Sequence, residues 1–196
     1  MISTLASIDL LVIACAYLLG SISSAVLTAR LFNLGDPREQ GSRNPGATNM
    51  LRTGSRAAAA LTLSGDLLKG FIPVWLALQL SNTPLTAGLA GLAAVVGHLL
   101  PIFFQFRGGK GVATALGASL GFSLLFGLFQ ILCWLSVFAL FRISSLAAIL
   151  TALASPILCY WLVPEYILAS SLISLLILLR HHHNLSSLIQ GTEHRL

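Results

Sequence analysis

The chain has 196 residues, of which 56% are hydrophobic and only 9% are charged. In a soluble domain of this size about a quarter of all residues are charged, so this composition indicates an integral membrane protein instead. The net charge of +5 comes from basic residues scattered between apolar blocks. Nucleic-acid binding needs a continuous basic face, so no nucleic-acid partner is expected, and a membrane surface and an anionic substrate fit the charge better.

Successive apolar blocks predict an all-α, polytopic membrane protein with a single domain over residues 1–196. The first block has no basic residue before Leu10, so we interpret it as a retained span and not as a cleaved secretory signal. The three cysteines lie in separate blocks, which favours small buried side chains over disulfides or a metal site. The blocks cover residues 6–29, 57–80, 84–106, 112–141, 143–163 and 165–179.

The block 112–141 is ambiguous, because its 30 residues exceed the roughly 20 that one span requires. One long tilted helix gives six spans, whereas two short helices joined near 117–123 give seven. With seven spans, ten of the eleven basic residues fall on one side of the membrane. Because Lys and Arg favour cytoplasmic loops, we predict seven transmembrane helices, some of them short, with a periplasmic N-terminus and a cytoplasmic C-terminus.

In this topology three polar stretches, 36–56, 107–114 and 180–195, meet at one face, and the first contains GSRNPGATNMLR (41–52). Its glycines let backbone amides approach an anion, while its Ser, Thr and Asn side chains supply neutral donors and Arg adds charge. The alternative is a loop that is merely polar. The residue types favour phosphate binding, and the candidates are Ser42, Asn44, Gly46, Thr48, Asn49 and Arg52.

The second stretch contains FRGGKGVAT (106–114), in which Lys110 lies between glycines at the predicted start of a helix. Amides at a helix N-terminus and a nearby ammonium group favour phosphate. A nucleotide P-loop is excluded, because it requires a strand before it and Ser or Thr directly after the lysine. The alternative is a flexible turn with a snorkelling lysine. The candidates are Gly108, Gly109, Lys110, Gly111 and Thr114.

The third stretch is RHHHNLSSLIQGTEHR (180–195). Its three consecutive histidines point apart on a helix, and a zinc site needs further ligands, so neither a metal nor another cofactor is predicted. A polar juxtamembrane tail is the alternative to a site wall. The candidates here are His181, Asn184 and Glu193.

Asp66 and Lys69 form an ionisable pair inside a predicted span, and their spacing places them on one helix face. Intramembrane ionisable groups are functional candidates by default, but a neutralised pair that positions a helix end explains them equally well. His98 fits a satisfied buried histidine best, and its closeness to the second stretch makes it a minor site candidate.

The acidic residues are few, and the chain contains neither a Gly-x-Ser-x-Gly elbow nor an HxxxxD run. The chain therefore has few side chains that could act as a covalent nucleophile or a general base, whereas groups that bind anions are plentiful. The pattern indicates a site that holds phosphates and stabilises charge, with the reactivity carried by the substrate. Either a protein side chain or a substrate phosphate could act as the base.

These motifs resemble the three signature motifs of the bacterial acyl-phosphate-dependent glycerol-3-phosphate acyltransferases. The segments GSISSAVLTARL, DLLKG and GHLLPIFFQFRGGKG are similar to that family as well, so the resemblance covers nearly the whole chain. It implies acyl transfer from acyl phosphate to the 1-hydroxyl of sn-glycerol 3-phosphate, which yields lysophosphatidic acid and phosphate. This is the first acylation of bacterial phospholipid synthesis, at the inner membrane with the active site facing the cytoplasm.

The implied partners are glycerol 3-phosphate, acyl phosphate, membrane lipid and, transiently, the soluble enzyme that makes the acyl phosphate. Catalytic roles carry over to Ser42, Arg52, Lys110, His181 and Asn184. Phosphate binding carries over to the other candidates of the three stretches, which are Asn44, Gly46, Thr48, Asn49, Gly108, Gly109, Gly111, Thr114 and Glu193.

The chain departs from the family at Arg43, where a glycine or another small residue is usual. Glycine permits positive φ, and arginine adopts it only at a cost. The rival function is a membrane transporter for phosphorylated metabolites, which would often show internal repeats and a site at the membrane midplane. The chain has no such repeat.

Overall fold

The computed structural model describes residues 7–53, 55–81 and 83–195, and all regular structure within these ranges is helical. This confirms the all-α architecture expected from the composition. The described residues form α1 (Ser7–Gly20), α2 (Ser24–Leu31), α3 (Ala47–Arg52), α4 (Arg56–Leu80), α5 (Pro84–Leu99), α6 (Val112–Phe122), α7 (Leu124–Phe141), α8 (Ser144–Leu162), α9 (Ile167–Arg180) and α10 (His182–Ile189), with short 3-10 turns at Ile102–Phe104 and Pro164–Tyr166.

Four helical segments of the described chain are long and apolar enough to cross a membrane, namely α4, α5 with the turn that follows it, α7 and α8. Two bent pairs raise this number to six if each is one span. These are α1 with α2, and the segment Pro164–Arg180 with α10. The apolar helix α6 has only 11 residues.

The ambiguous block consists of two helices, because α6 ends at Phe122 and α7 begins at Leu124. Ser123 separates them with an extended backbone, and its Oγ accepts a hydrogen bond from the Phe126 amide at 3.5 Å. The break thus lies inside the predicted region 117–123, where a serine can cap the second helix.

The first apolar block, in contrast to what its composition suggests, is not one continuous helix. Helix α1 ends at Gly20 and α2 begins at Ser24, with 42° between the two. The Ser21 hydroxyl donates to the Tyr17 carbonyl at 2.8 Å, while the Ile22 carbonyl accepts from Lys69 Nζ at 2.8 Å. A lysine from α4 therefore satisfies a backbone group that the break leaves without a helical partner.

Helices α4 and α6 approach each other closely at two glycines. A Cβ atom at Gly70 would lie 2.0 Å from the Thr114 carbonyl oxygen, and one at Gly117 would lie 2.0 Å from that of Leu67. Only glycine fits both positions, as is typical of closely packed membrane helices. This contact holds the short helix α6 against α4, with its N-terminal loop at the same end of the bundle as α3.

Helix α3 is anchored by a small hydrophobic cluster. Met50 of α3 is 1% exposed and packs with alanines of α2 and α4. Burial of a methionine side chain contributes about 1.5–3 kcal/mol. The first polar stretch is therefore attached to the helical bundle through this residue, while Ser42, Arg43 and Arg52 are exposed.

A buried polar cluster, which we define as Asp66, Lys69, His98 and Thr114, connects α4, α5 and α6. Lys69 Nζ lies 2.9 Å from Asp66 Oδ1, His98 Nδ1 lies 3.6 Å from the same oxygen, and Thr114 Oγ1 lies 3.2 Å from His98 Nδ1. All four residues are at most 7% exposed. Together with the contact to Ile22, this arrangement favours the interpretation that Asp66 and Lys69 position helices.

We predict that Lys69→Met lowers the free energy of unfolding by about 3–5 kcal/mol, because it leaves a buried carboxylate unpaired. It also removes the donor to the Ile22 carbonyl. The measurement is the thermal midpoint of the purified protein in detergent. The double variant Lys69→Met/Asp66→Leu is the control and should recover much of the loss. A single variant as stable as the unchanged chain would contradict the prediction.

Candidate functional site

Arg38 joins the first polar stretch to the 3-10 turn after α5, and an ion pair within the stretch holds this arginine. Arg38 Nη2 lies 2.6 Å from Asp36 Oδ2, and Arg38 Nη1 donates to the Phe104 carbonyl at 3.4 Å. The hydrogen bonds from Arg38 lower the pKa of the Asp36 carboxyl group, although partial burial opposes this. The pair is therefore charged at neutral pH and keeps the loop close to the second stretch.

Asn49 holds the conformation of this loop from inside. Its side chain is 1% exposed, its Oδ1 accepts from the Ser42 amide at 3.0 Å, and its Nδ2 donates to the carbonyls of Pro37 at 2.9 Å and Gln40 at 3.0 Å. These contacts engage both ends of the amide. The geometry therefore favours a supporting role for Asn49, which fixes the position of Ser42.

Arg43 adopts the left-handed backbone conformation, with φ of 56°. Its amide donates to the Gln40 carbonyl at 2.9 Å, and its side chain is exposed. A residue with a Cβ atom pays roughly 1–2 kcal/mol for this conformation. The departure from the family pattern thus brings the backbone strain that the sequence predicts.

The second stretch contains a glycine loop, residues 108–111, that packs on the C-terminal end of α5. The Gly109 amide donates to the His98 carbonyl at 3.2 Å. A Cβ atom at Gly109 would lie 2.3 Å from His98 Nε2. The loop therefore rests directly on a member of the buried polar cluster, and this close approach requires glycine.

Arg180, at the end of α9, holds the other side of the glycine loop. Its Nη2 donates to the Gly108 carbonyl at 3.0 Å, and its Nε donates to the Gly109 carbonyl at 3.2 Å. The sequence patterns did not single out Arg180. Its position as the first residue of the third stretch was the available signal.

Lys110 joins the second stretch to the third. Its ammonium group donates to Asn184 Oδ1, and Asn184 Nδ2 donates to Glu193 Oε1 at 2.8 Å. The same carboxylate oxygen accepts from Ser145 Oγ, on α8, at 2.7 Å. A continuous hydrogen-bonded chain therefore connects the glycine loop, α10, the C-terminal tail and α8.

The electrostatic environment of Lys110 includes charges from all three stretches. Burial lowers the pKa of Lys110, and the guanidinium groups of Arg180 and Arg52 lower it further, whereas the Glu193 carboxylate raises it. The basic groups repel one another more weakly when an anion lies among them. The arrangement thus suits a negatively charged ligand.

Three predicted residues lie at junctions behind this region. Thr48 Oγ1 is 3.2 Å from Ser144 Oγ on α8, which links α3 to a helix that carries no signature motif. Thr114 is fully buried in the polar cluster. His181 is 3% exposed at the bend between α9 and α10, and its Nδ1 donates to the Ile177 carbonyl at 2.8 Å.

The remaining first-stretch candidates lie around the start of α3. Gly46 is the N-cap residue of this helix, and Asn44 is half-buried beside it. A cleft next to them is lined by Gly41, Ser42, Arg52, His194 and Arg195. The three polar stretches therefore meet at one end of the bundle, as predicted, and the third stretch contributes His194 and Arg195, which were not among the predicted site residues. The part of the chain that the structure describes has no cluster of three or more His, Cys, Asp or Glu side chains able to hold a metal.

An apolar cavity extends from this end of the bundle between α6, α7, α8 and α9. Val112, Ala148 and Ile177 line it next to the site, since they follow or precede Gly111, Ser144 and His181 by one to four residues. Deeper in the cavity Gln130 Nε2 donates to Ser119 Oγ at 3.0 Å and to Ser155 Oγ at 2.9 Å. The site thus combines a basic, glycine-rich rim with an apolar interior.

Comparison with known proteins assigns this architecture to a family. A family model described as glycerol-3-phosphate acyltransferase matches residues 10–191. A glycerol-3-phosphate acyltransferase of Tolumonas auensis is 56% identical over 178 residues, which are 91% of this chain and 88% of the relative. Another from Photobacterium profundum is 53% identical over 184 residues, which are 94% of this chain and 91% of the relative.

Two solved structures of PlsY (YgiH), an integral membrane glycerol 3-phosphate acyltransferase, have the same fold. The glycerol 3-phosphate form has a TM-score of 0.92 and 37% sequence identity to this chain. The match covers 97% of this chain and 96% of the solved chain. The lysophosphatidic acid form has a TM-score of 0.91 and 36% identity, with the same coverage.

Proposed function

The chain belongs to the glycerol-3-phosphate acyltransferase family, and we propose that it transfers an acyl chain from acyl phosphate to the 1-hydroxyl of sn-glycerol 3-phosphate. The products are lysophosphatidic acid and phosphate. The observation that carries this proposal is the meeting of Lys110, Arg52 and Arg180 beside a glycine loop at the mouth of an apolar cavity. Such a site accommodates phosphate groups and an acyl chain at the same time.

The chemistry requires little from a protein base, because acyl phosphate is a mixed anhydride with a good leaving group. The substrate hydroxyl oxygen attacks the acyl carbonyl carbon, and the bond from this carbon to the bridging phosphate oxygen breaks. Phosphate leaves with the bonding electrons, and in the net reaction it also receives the hydroxyl proton. Lys110 and Arg52 offset the negative charge that accumulates on these oxygens.

Asn184 and Glu193 orient the Lys110 ammonium group, since Asn184 accepts from it and is itself fixed by Glu193. Ser42, Asn44 and Thr48 supply neutral donors on the opposite side, and the backbone of the loops at Gly46 and at Gly108, Gly109 and Gly111 permits a phosphate to come close. His181 completes the wall at the end of α9.

The apolar cavity is the place for the acyl chain of the donor. Its entrance residue Val112 directly follows Gly111, Ala148 lies one helical turn after Ser144, the contact of Thr48, and its walls come from α6, α7, α8 and α9. An acyl chain can therefore remain in an apolar environment while its phosphate end reaches Lys110. The donor comes from a soluble acyl-phosphate-producing enzyme that contacts the same face transiently.

We also propose seven crossings, with the N-terminus in the periplasm and the site in the cytoplasm of a bacterium, in its inner membrane. The four long spans and two bent pairs account for six, and α6 adds a short seventh. In this arrangement Arg52, Lys110 and Arg180 lie on the cytoplasmic side, as the distribution of positive charge favours.

Purified protein in detergent, given palmitoyl phosphate and glycerol 3-phosphate, should release phosphate and lysophosphatidic acid. Arg52→Gln should lower kcat/KM about a hundredfold, because it removes a cation from the developing phosphate charge. The matched control is Arg56→Gln, an exposed arginine at the start of α4, which should change kcat/KM by less than about twofold. Near-unchanged turnover in Arg52→Gln would refute its role, and phosphate-ester uptake into liposomes without product would favour a transporter.

The pH profile should depend on Lys110. Lysine is charged below its pKa, and burial lowers the pKa of Lys110, so the ammonium charge is lost at a lower pH than in a free lysine, near 10.4. We expect kcat/KM to fall on the alkaline side below that value. Lys110→Arg should shift this limb to higher pH despite lower overall activity, because arginine stays charged. An identical alkaline limb in both proteins, after subtraction of spontaneous donor hydrolysis, would contradict the assignment.

The topology is tested with single cysteines in a variant whose Cys15, Cys133 and Cys159 are alanine. A membrane-impermeant maleimide added to intact spheroplasts should label Glu165→Cys, in the turn between α8 and α9. It should label Gln190→Cys, after α10, only when the membrane is permeabilised. Labelling of both positions from the same side would rule out the proposed orientation.

A further inference from the structure

The C-terminal tail forms one wall of the cleft that contains Ser42 and Arg52. His194 and Arg195 line this cleft opposite the first polar stretch. Both residues lie beyond the segment 10–191 that the family model matches. They are exposed, so their positions need an explanation other than packing.

A series of local contacts directs the tail back towards the site. After α10 the Gly191 amide donates to the Leu188 carbonyl at 3.2 Å, and the Thr192 amide donates to the Ser187 carbonyl at 2.9 Å. The Thr192 hydroxyl donates to the same Ser187 carbonyl at 3.3 Å. The chain therefore reverses its direction immediately after the helix.

Glu193 then anchors the tail. One of its carboxylate oxygens accepts from Asn184 Nδ2 at 2.8 Å and from Ser145 Oγ at 2.7 Å. The next two residues are held at the cleft because their immediate neighbour is attached to α10 and to α8. An anchored side chain loses less conformational freedom when it binds a ligand than one on a free tail.

The charges in the cleft are of one sign. Among the described residues that line it, two are arginines and none carries a carboxylate. Two guanidinium groups that face the same space repel each other, and an anion between them removes this repulsion. A phosphate group is well suited, since arginine donates two parallel hydrogen bonds to it.

The cleft and the apolar cavity have no lining residue in common. The cavity serves the acyl chain, whereas the cleft is lined by Ser42, two arginines and a histidine and is open to solvent. A phosphate that enters the cleft therefore belongs to the water-soluble substrate.

We propose that Arg195, with His194 beside it, binds the phosphate of glycerol 3-phosphate on the wall opposite Arg52. This inference rests on the proposed function. Arg195 is a specificity-determining residue for the soluble substrate. Arg52 lines the same cleft and also influences Lys110, so it serves both this phosphate and the reacting groups, whereas Lys110 serves the reacting groups. The tail thereby contributes to substrate capture and not to the chemical step.

The test is Arg195→Gln in the assay with palmitoyl phosphate. We expect KM for glycerol 3-phosphate to rise about fivefold, as for the loss of an exposed ionic contact, while kcat and KM for palmitoyl phosphate stay unchanged. Added salt should raise KM for glycerol 3-phosphate less in Arg195→Gln than in the unchanged protein, because the variant has lost one positive charge that salt would screen. Arg195→Lys should restore most of the KM.

The matched control is Arg30→Gln, an exposed arginine in the last turn of α2 outside the cleft, which should leave both KM values unchanged. Equal thermal midpoints in detergent would show that the variants are folded. An unchanged KM for glycerol 3-phosphate in Arg195→Gln, or a rise only in KM for palmitoyl phosphate, would overturn the inference. If the unchanged protein makes no lysophosphatidic acid at all, the proposed function fails first.

Discussion

The buried ion pair between Lys69 and Asp66 is the interaction on which the rest of the structure depends. In an apolar interior a lone charge is costly, so each partner requires the other. Lys69 also satisfies the Ile22 carbonyl at the break between α1 and α2, and Asp66 faces His98. Through His98 and the Gly109 amide the same pair determines where the glycine loop lies. The rim of the site is therefore coupled to the interior of the bundle.

Much of the architecture could be predicted because membranes restrict the possibilities. Backbone groups in lipid must be satisfied within helices, so apolar blocks alone indicate an all-α protein. The break at Ser123 followed from a block too long for one span. The meeting of Arg52, Lys110 and Asn184 followed from charge distribution, because it placed their three stretches at one face.

Other features depend on tertiary contacts that no local pattern contains. The break after Gly20 is stabilised by a lysine 47 residues further along the chain, and Asn49 points inward because the loop closes around it. Ser145 belongs to no predicted motif, and the fold alone brings it to the site; Arg180 and Arg195 lie at the two ends of the third stretch but were not among its predicted site residues. Arg43 lies between these cases, since its strain was predictable from φ preferences and its exposure was not.

The shortness of α6 has a consequence for where the two substrates meet. Its 11 residues span about 16 Å, roughly half of a hydrocarbon core near 30 Å thick. When the proposed topology places Ser123 at the periplasmic surface, Lys110, just before the cytoplasmic end of α6, lies below the level of the lipid headgroups. In this arrangement water and a small polar substrate would reach that depth, and a lipid-anchored donor would stay at its own level. In this topology the boundary between water and lipid is displaced towards the membrane interior at the site. Glycerol 3-phosphate can then remain in water, and the acyl chain of the donor can remain in lipid.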